Sequence, residues 1–192
     1  LAIADCTGHG IPGAMVSVVC NNALNRSIQK FKLTAPKAIL NKTRELVIDA
    51  FEDNDQTIRD GMDIALCCID KTNNKLTFSG ANNPIIIIRE NKTITLHADR
   101  QPIGKYSFGK SFNQQEISLN TDDTIYLFTD GFYDQFGGER GKKYKSDTLK
   151  KFLLKNSSFT LKKQKELLLS EFNNWKGNLE QIDDVCIMGV KI

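Results

Sequence analysis

"MDIALCCIDKTNNKLTFSGANNPIIIIRENKTITLHA", residues 62–98, sets the fold class of this chain. Its apolar and β-branched residues come in short runs with period-two character, and each run stops at turn-forming residues. KTNN and NK interrupt the pattern, and Pro84 opens its third run. Short strands joined by such turns pair antiparallel, so the reading is a meander of MDIALCCID, KLTFSGA, PIIIIRE and TITLHA.

Downstream, RQPIGKYSFGK is a glycine-containing loop, and SFNQQEISL, NTDD and TIYLFTDG read as one more hairpin. On the N-terminal side, Pro12 suits a first helical turn, and Met15, Val18, Val19, Ala23, Leu24 and Ile28 follow at helical spacing. TAPKAILNKTRELVIDAF predicts a second helix, with Thr34 as its cap and Ile39, Leu40, Leu46, Val47 and Phe51 on one side. EDNDQTIRDG then reads as a polar linker. Two late helices, near 147–155 and 160–176, precede a closing strand DVCIMGVKI, and the second puts Leu161, Leu168, Phe172 and Trp175 on one stripe. Helices, antiparallel strands, helices and a last strand make an α+β fold.

At 192 residues and 40% hydrophobic content, the chain suffices for a single domain spanning 1–192. A net charge of +3 from 26 basic and 23 acidic residues makes no strong field, so no nucleic-acid partner and no membrane contact is expected. The basic stretch GERGKKYKSDTLKKFLLK reads as a solvated face. The cysteines, Cys6, Cys20, Cys67, Cys68 and Cys186, are odd in number and lack CxxC spacing, which predicts reduced core thiols and a cytoplasmic location. No apolar run is long enough to span a bilayer. Leu1 begins inside a strand without an initiator Met, so the chain reads as an N-terminally truncated fragment of a longer protein.

Three acids stand at strand ends. Asp5 ends LAIA, Asp130 ends TIYLFT, and Asp183 precedes VCIMGV. For all three to meet at one sheet edge, the last strand must run antiparallel to the other two. Carboxylates so gathered repel one another unless a cation neutralises them, and an all-oxygen set selects Mg²⁺ or Mn²⁺ over Zn²⁺. Spacing alone leaves the alternatives open: Asp5 as a cap or turn residue, Asp130 as a turn residue before Gly131, and Asp183-Asp184 as a loop pair.

ADCTGHGIPGAMVS, DGMDIALC, SGANNP, QPIGKY, YLFTDGFYDQFGG and WKGNLEQIDDVCIMGV, taken together and in this order, resemble the SpoIIE/RsbU-like branch of the metal-dependent (PPM, type 2C) serine/threonine protein phosphatases. The resemblance implies an α-β-β-α sandwich of two antiparallel sheets flanked by helices, with two Mn²⁺ or Mg²⁺ ions at one end. It implies that Asp5 bridges the ions, that the main-chain carbonyl of Cys6 ligates one, and that Asp130 and Asp183 supply further carboxylates, with Asp184 beside them. It implies water activated by metal attacking a phosphoserine or phosphothreonine directly, with no phosphoenzyme. The expected substrate is a phosphorylated regulatory protein such as an anti-sigma-factor antagonist. An upstream sensor domain would act through the helices at 12–30 and 36–51, and a homodimer is a candidate assembly. The family's earlier strand pair, with its own acid for the second ion, would precede Leu1, so this chain alone is expected to be weak or inactive.

His9 reads as a turn or helix-start residue rather than a general acid, His97 as structural, and Asp63 and Asp134 as turn or hydrogen-bonding residues rather than ligands. No histidine is placed to activate a cysteine nucleophile. Two other function classes remain in view: a catalytically silent signalling module with the same fold, and a two-metal nuclease, which the absence of a basic groove disfavours.

Overall fold

The strands of residues 62–98 form, but they do not make one meander. In the computed structural model, which describes residues 1–8, 10–51 and 60–192, the elements in chain order are β1 (Ala2–Cys6), α1 (Gly10–Gln29), α2 (Pro36–Phe51), β2 (Gly61–Asp70), β3 (Lys75–Ala81), β4 (Ile85–Arg89), β5 (Lys92–Leu96) and β6 (Ile103–Gly104). They continue with β7 (Gln115–Ser118), β8 (Thr124–Phe128), α3 (Gly131–Asp134), β9 (Phe136–Gly137), β10 (Lys142–Lys143), α4 (Ser146–Lys155), α5 (Leu161–Lys176) and β11 (Ile187–Lys191). His9 and most of the expected linker, 52–59, lie outside the described residues.

β2 and β3 pair as expected, from Ile64 opposite Ala81 to Asp70 opposite Lys75. Asp70 closes their turn by accepting the N–H groups of Thr72 (2.9 Å) and Asn73 (3.1 Å). After Ala81 the chain changes sheets. Asn82 takes the left-handed conformation (φ 57°) and Pro84 has no N–H to give to a ladder, so the β2–β3 pairing cannot extend to a next strand at this point. β3 pairs instead with β7, giving a sheet of order β1-β2-β3-β7 with β6 also on β2, while β4 joins a second sheet of order β11-β8-β4-β5. The expected β7–β8 hairpin is corrected for the same reason: its two strands belong to different sheets. The β4–β5 turn also moves by one residue, to Glu90 and Asn91, both at positive φ.

The described chain forms two compact units. The first, Leu1–Pro84 with Leu96–Leu119, carries the β1-β2-β3-β7 sheet and both long N-terminal helices. Its core joins Val16 and Cys20 of α1 and Leu40 and Val47 of α2 to Ile64 and Leu66 of β2. α2 begins at Pro36, with the Ala35 carbonyl accepting from Ala38 and Ile39, so Thr34 stands one residue outside the capping position. In α1 the buried stripe is Gly13, Val16, Cys20, Ala23 and Ser27, whereas Met15 and Val18 are 63% and 55% exposed. The buried face is rotated from the expected one because small polar residues bury there with their hydrogen bonds made: Ser27 Oγ donates to the Ala23 carbonyl (2.9 Å) and accepts from Thr43 Oγ1 (3.1 Å).

The second unit is Ile85–Thr95 with Asn120–Ile192. Tyr126, Phe128, Phe132, Tyr144, Leu149 and Phe172 form its core, with Tyr144 edge-on to both Phe132 and Trp175. α5 is capped by Thr160, whose hydroxyl accepts from the Lys163 N–H, and Leu161, Leu168 and Phe172 line a cavity of about 500 Å³ beside β11. α4 buries Leu149 and Leu153 and turns Lys151 and Lys155 to solvent, as the basic stretch predicted. All five cysteines are free, but Cys68 and Cys186 are exposed rather than in the core. No helix among the described residues is long and apolar enough to cross a membrane.

Candidate metal centre

In the second unit, β8 is buried along its whole length and delivers Thr129 and then Asp130 to its end. Asp130 stands at the start of α3, yet its side chain makes no capping hydrogen bond. Its carbonyl does the local work, accepting from the Asp134 N–H at 2.9 Å. Burial, then the charges of Asp183 and Asp134, push the Asp130 carboxyl above its ordinary pKa. One carboxylate oxygen of Asp130 lies within 4.8 Å of one from Asp183. Two carboxylates this close, one of them half-buried, are what a hard cation would neutralise.

Asp183 is exposed and sits in a segment without helix or strand structure. Pairing of β11 with β8 antiparallel, Ile187 opposite Phe128, brings that segment back along residues 129–131. Thr129 fixes it: its N–H donates to the Cys186 carbonyl (3.0 Å), its hydroxyl donates to the Asp184 carbonyl (2.9 Å), and the same oxygen accepts from the Cys186 N–H (3.0 Å). Asp184 donates its N–H to the Asp183 carboxylate (2.8 Å) and is itself exposed, so it supports its neighbour through the main chain.

Gly131 completes the approach. A Cβ there would fall 2.3 Å from the Asp184 carbonyl oxygen, a backbone atom that cannot swing aside. Gly131→Ala is therefore expected to destabilise the protein by about 1–3 kcal/mol, read as a lower urea midpoint at unchanged slope. An unchanged midpoint would show that the two segments separate without cost.

In the first unit, Asp5 lies on β1 directly opposite Asp63 of β2. Asp63 accepts from the Asn82 amide (2.8 Å), and in the second unit Asp134 pairs with Lys143 (2.9 Å), so both are hydrogen-bonding residues as expected. The Cys6 thiol packs against the core that holds Cys20, with Cys20 and then Ser17 as the α1 neighbours that favour its ionised form. These neighbours, against burial and the Asp5 charge, draw its thiol below the ordinary cysteine pKa. Its side chain is thus committed to α1. The glycine turn that follows is tight: a Cβ on Gly13 would sit 2.5 Å from the Gly8 carbonyl oxygen, which ties the start of α1 to the end of β1. His9 falls outside the described residues, so nothing tests its assignment.

The antiparallel direction expected of the last strand holds for β8 and β11. The idea of one shared sheet edge does not, because β1 belongs to the other sheet. Sequence reasoning also passed over α3 and the residues that hold the Asp183 segment, Thr129 and Gln135. Both flank Asp130 in the string FTDGFYDQ, but neither carries a charge or a metal-ligating group that would single it out.

Helices with antiparallel sheets in this order define the fold of PP2C phosphatase domains. The chain aligns over its whole length with the SiaA-PP2C domain of Pseudomonas aeruginosa, at 27% identity and a TM-score of 0.91, covering 74% of that chain. The PP2C phosphatase domain of SpoIIE from Bacillus subtilis, with a fragment of its regulatory domain, matches at a TM-score of 0.74 and 17% identity, over all of this chain and 53% of that one. The RsbU and RsbW domains of a Mycobacterium tuberculosis protein match at 0.70 and 19%, over 99% of this chain and 51% of that one. The chain thus spans about half the length of the latter two. No curated protein matches it. The family model described as stage II sporulation protein E (SpoIIE) matches residues 1–192, and the chain belongs to that family.

Proposed function

We propose that this domain is a metal-dependent protein phosphatase that hydrolyses phosphoserine or phosphothreonine on a regulatory partner. The observation that carries the reading is the Asp130–Asp183 pair. Asp130 is half-buried beside a second carboxylate and makes no capping bond that would explain its place at a helix start. Asp5, Asp130, Asp183 and the main-chain carbonyl of Cys6 would hold Mn²⁺ or Mg²⁺, two ions in the complete site. When bound, such ions polarise a phosphoryl group and lower the pKa of the attacking water.

The chain's own part is to hold acceptor oxygens in place. Thr129 orients the Asp183 segment, Gly131 admits its backbone, and Lys143 takes up the charge of Asp134 next to the pair. The SpoIIE family and the likeness to RsbU and RsbW domains support a cytoplasmic regulatory phosphoprotein as substrate, of the anti-sigma-factor-antagonist kind, and control by a sensor domain elsewhere in the polypeptide. The exposed Met15 and Val18 on α1 favour that helix as the route of control.

The test is Mn²⁺ binding by calorimetry together with Mn²⁺-dependent phosphate release from an aryl phosphate and a phosphoserine peptide, both measured on the full-length polypeptide that carries this domain. Binding, with release from either substrate that a chelator stops, is the expected result. Neither binding nor release would overturn the reading in favour of a silent module with the same fold.

A further inference from the structure

Residues 180–186 carry Asp183 but have no helix or strand of their own, and 180–184 are exposed. A metal ligand on such a segment needs anchors on both sides. Thr129 anchors the C-terminal side at Asp184 and Cys186. On the N-terminal side the Gln135 side chain hydrogen-bonds both residue 180 and residue 182.

Gln135 is fully buried although its amide is polar. Its Nε2 donates to the Glu180 carbonyl (2.9 Å) and to the Phe136 carbonyl (3.0 Å), and its Oε1 accepts from the Ile182 N–H (3.4 Å). Its main-chain carbonyl accepts from Trp175 Nε1 (3.0 Å) and from the Tyr144 N–H (3.0 Å). The residue that ends the helix begun at Asp130 is thereby tied to the end of α5 and to the link between β10 and α4. Being fixed on so many sides, it offers 180 and 182 a rigid template.

We infer that Gln135 is a positioning residue, which holds the Asp183 segment against the turn that carries Asp130. Residues 129–135 then supply one carboxylate and both anchors for the other. The inference rests on the proposed metal site for its functional meaning. Its structural content stands without the metal.

The test compares Gln135→Met, similar in size and without hydrogen-bonding power, with Gln164→Met. Gln164 is similarly buried in the same unit, but its side chain bonds Tyr126 and the Phe159 carbonyl, not the backbone of residues 180–184. Two readouts are taken: amide hydrogen exchange in metal-free protein, and Mn²⁺ affinity by calorimetry. Gln135→Met is expected to speed exchange at Ile182 and Asp184 and to weaken Mn²⁺ binding by about 10–100-fold, the range seen for groups that orient metal ligands. Gln164→Met is expected to lower Tm without either change. If Gln135→Met does not fold, Gln135→Asn, which is one methylene short of both contacts, is expected to move both readouts in the same direction.

Unchanged exchange at Ile182 and Asp184 in a folded Gln135 variant would overturn the inference. So would Mn²⁺ affinity equal to wild type. A wild-type protein that binds no Mn²⁺ would sink the metal reading instead, while the exchange data would still decide the anchoring role.

Discussion

Asp130→Asn is expected to abolish Mn²⁺ binding, to lower phosphate release by at least about 100-fold, and to raise the melting temperature of the metal-free protein. The loss follows from removing a charged ligand, which exceeds the effect of a group that only orients one. The gain follows from the direction of the Asp130 shift. Burial and the charges of Asp183 and Asp134 raise its pKa in the folded state, so at neutral pH its ionised form opposes folding, and the neutral amide relieves this. Mn²⁺ at about 100 times its dissociation constant stabilises a binding-competent chain by about 2.7 kcal/mol, or roughly 5–10 °C. Wild type should therefore melt lower than the variant without metal and gain that increment with it, while the variant gains nothing. Because the raised carboxyl protonates at a higher pH than an ordinary aspartate, Mn²⁺ affinity should also fall on mild acidification. A variant that melts lower without metal, or still responds to Mn²⁺, would contradict the assignment of Asp130.

Arg89→Met should destabilise the protein by about 3–5 kcal/mol, a fall in Tm of roughly 6–20 °C. Asp123 is 1% exposed and receives two bonds from Arg89, Nε to Oδ1 at 2.9 Å and a terminal nitrogen to Oδ2 at 2.6 Å, besides the Asn120 N–H at 2.9 Å. Removing the guanidinium strands a buried charge. Burial alone would raise the Asp123 carboxyl, but the Arg89 bond, the Asn120 N–H and the Arg89 charge together outweigh it and hold the pKa below the ordinary value. A depressed carboxyl contributes stability that is present above the unfolded value, about 3.9, and is lost as pH falls through the folded one. The gap between wild type and Arg89→Met should therefore be full at neutral pH and narrow below about pH 4. A gap independent of pH would show that Arg89 acts through the packing of its stem alone.

Most strand positions were legible because period-two alternation and turn residues are local signals. The partners of those strands were not. Nothing within KLTFSGANNPIIIIR says that its two halves enter different sheets; that depends on β7 and β8, which lie more than thirty residues downstream of β3 and β4 respectively. The face of α1 was misread because counting apolar residues gives weight to Met15 and Val18 and none to Ser27, whose burial depends on a hydroxyl from α2. The candidate carboxylates could be picked out because charge at a strand end is conspicuous. Gln135 could not, because a neutral amide within FYDQFGG looks like any surface residue until its bonds to 180 and 182 are seen.

The sheet change at Asn82 also sets an order of assembly. β2 and β3 are neighbours in sequence and close a hairpin in microseconds, and β4 and β5 do likewise. The β8–β11 pair must close a loop of about sixty residues, which raises its entropic cost and delays it. β11 is also the last of these elements to be synthesised, so a nascent chain holding β8 already has Asp130 in place while its partner carboxylate does not yet exist. Asp130 and Asp183 can therefore meet only once β11 has been made, and their contact is the last of this sheet to become possible in a growing chain.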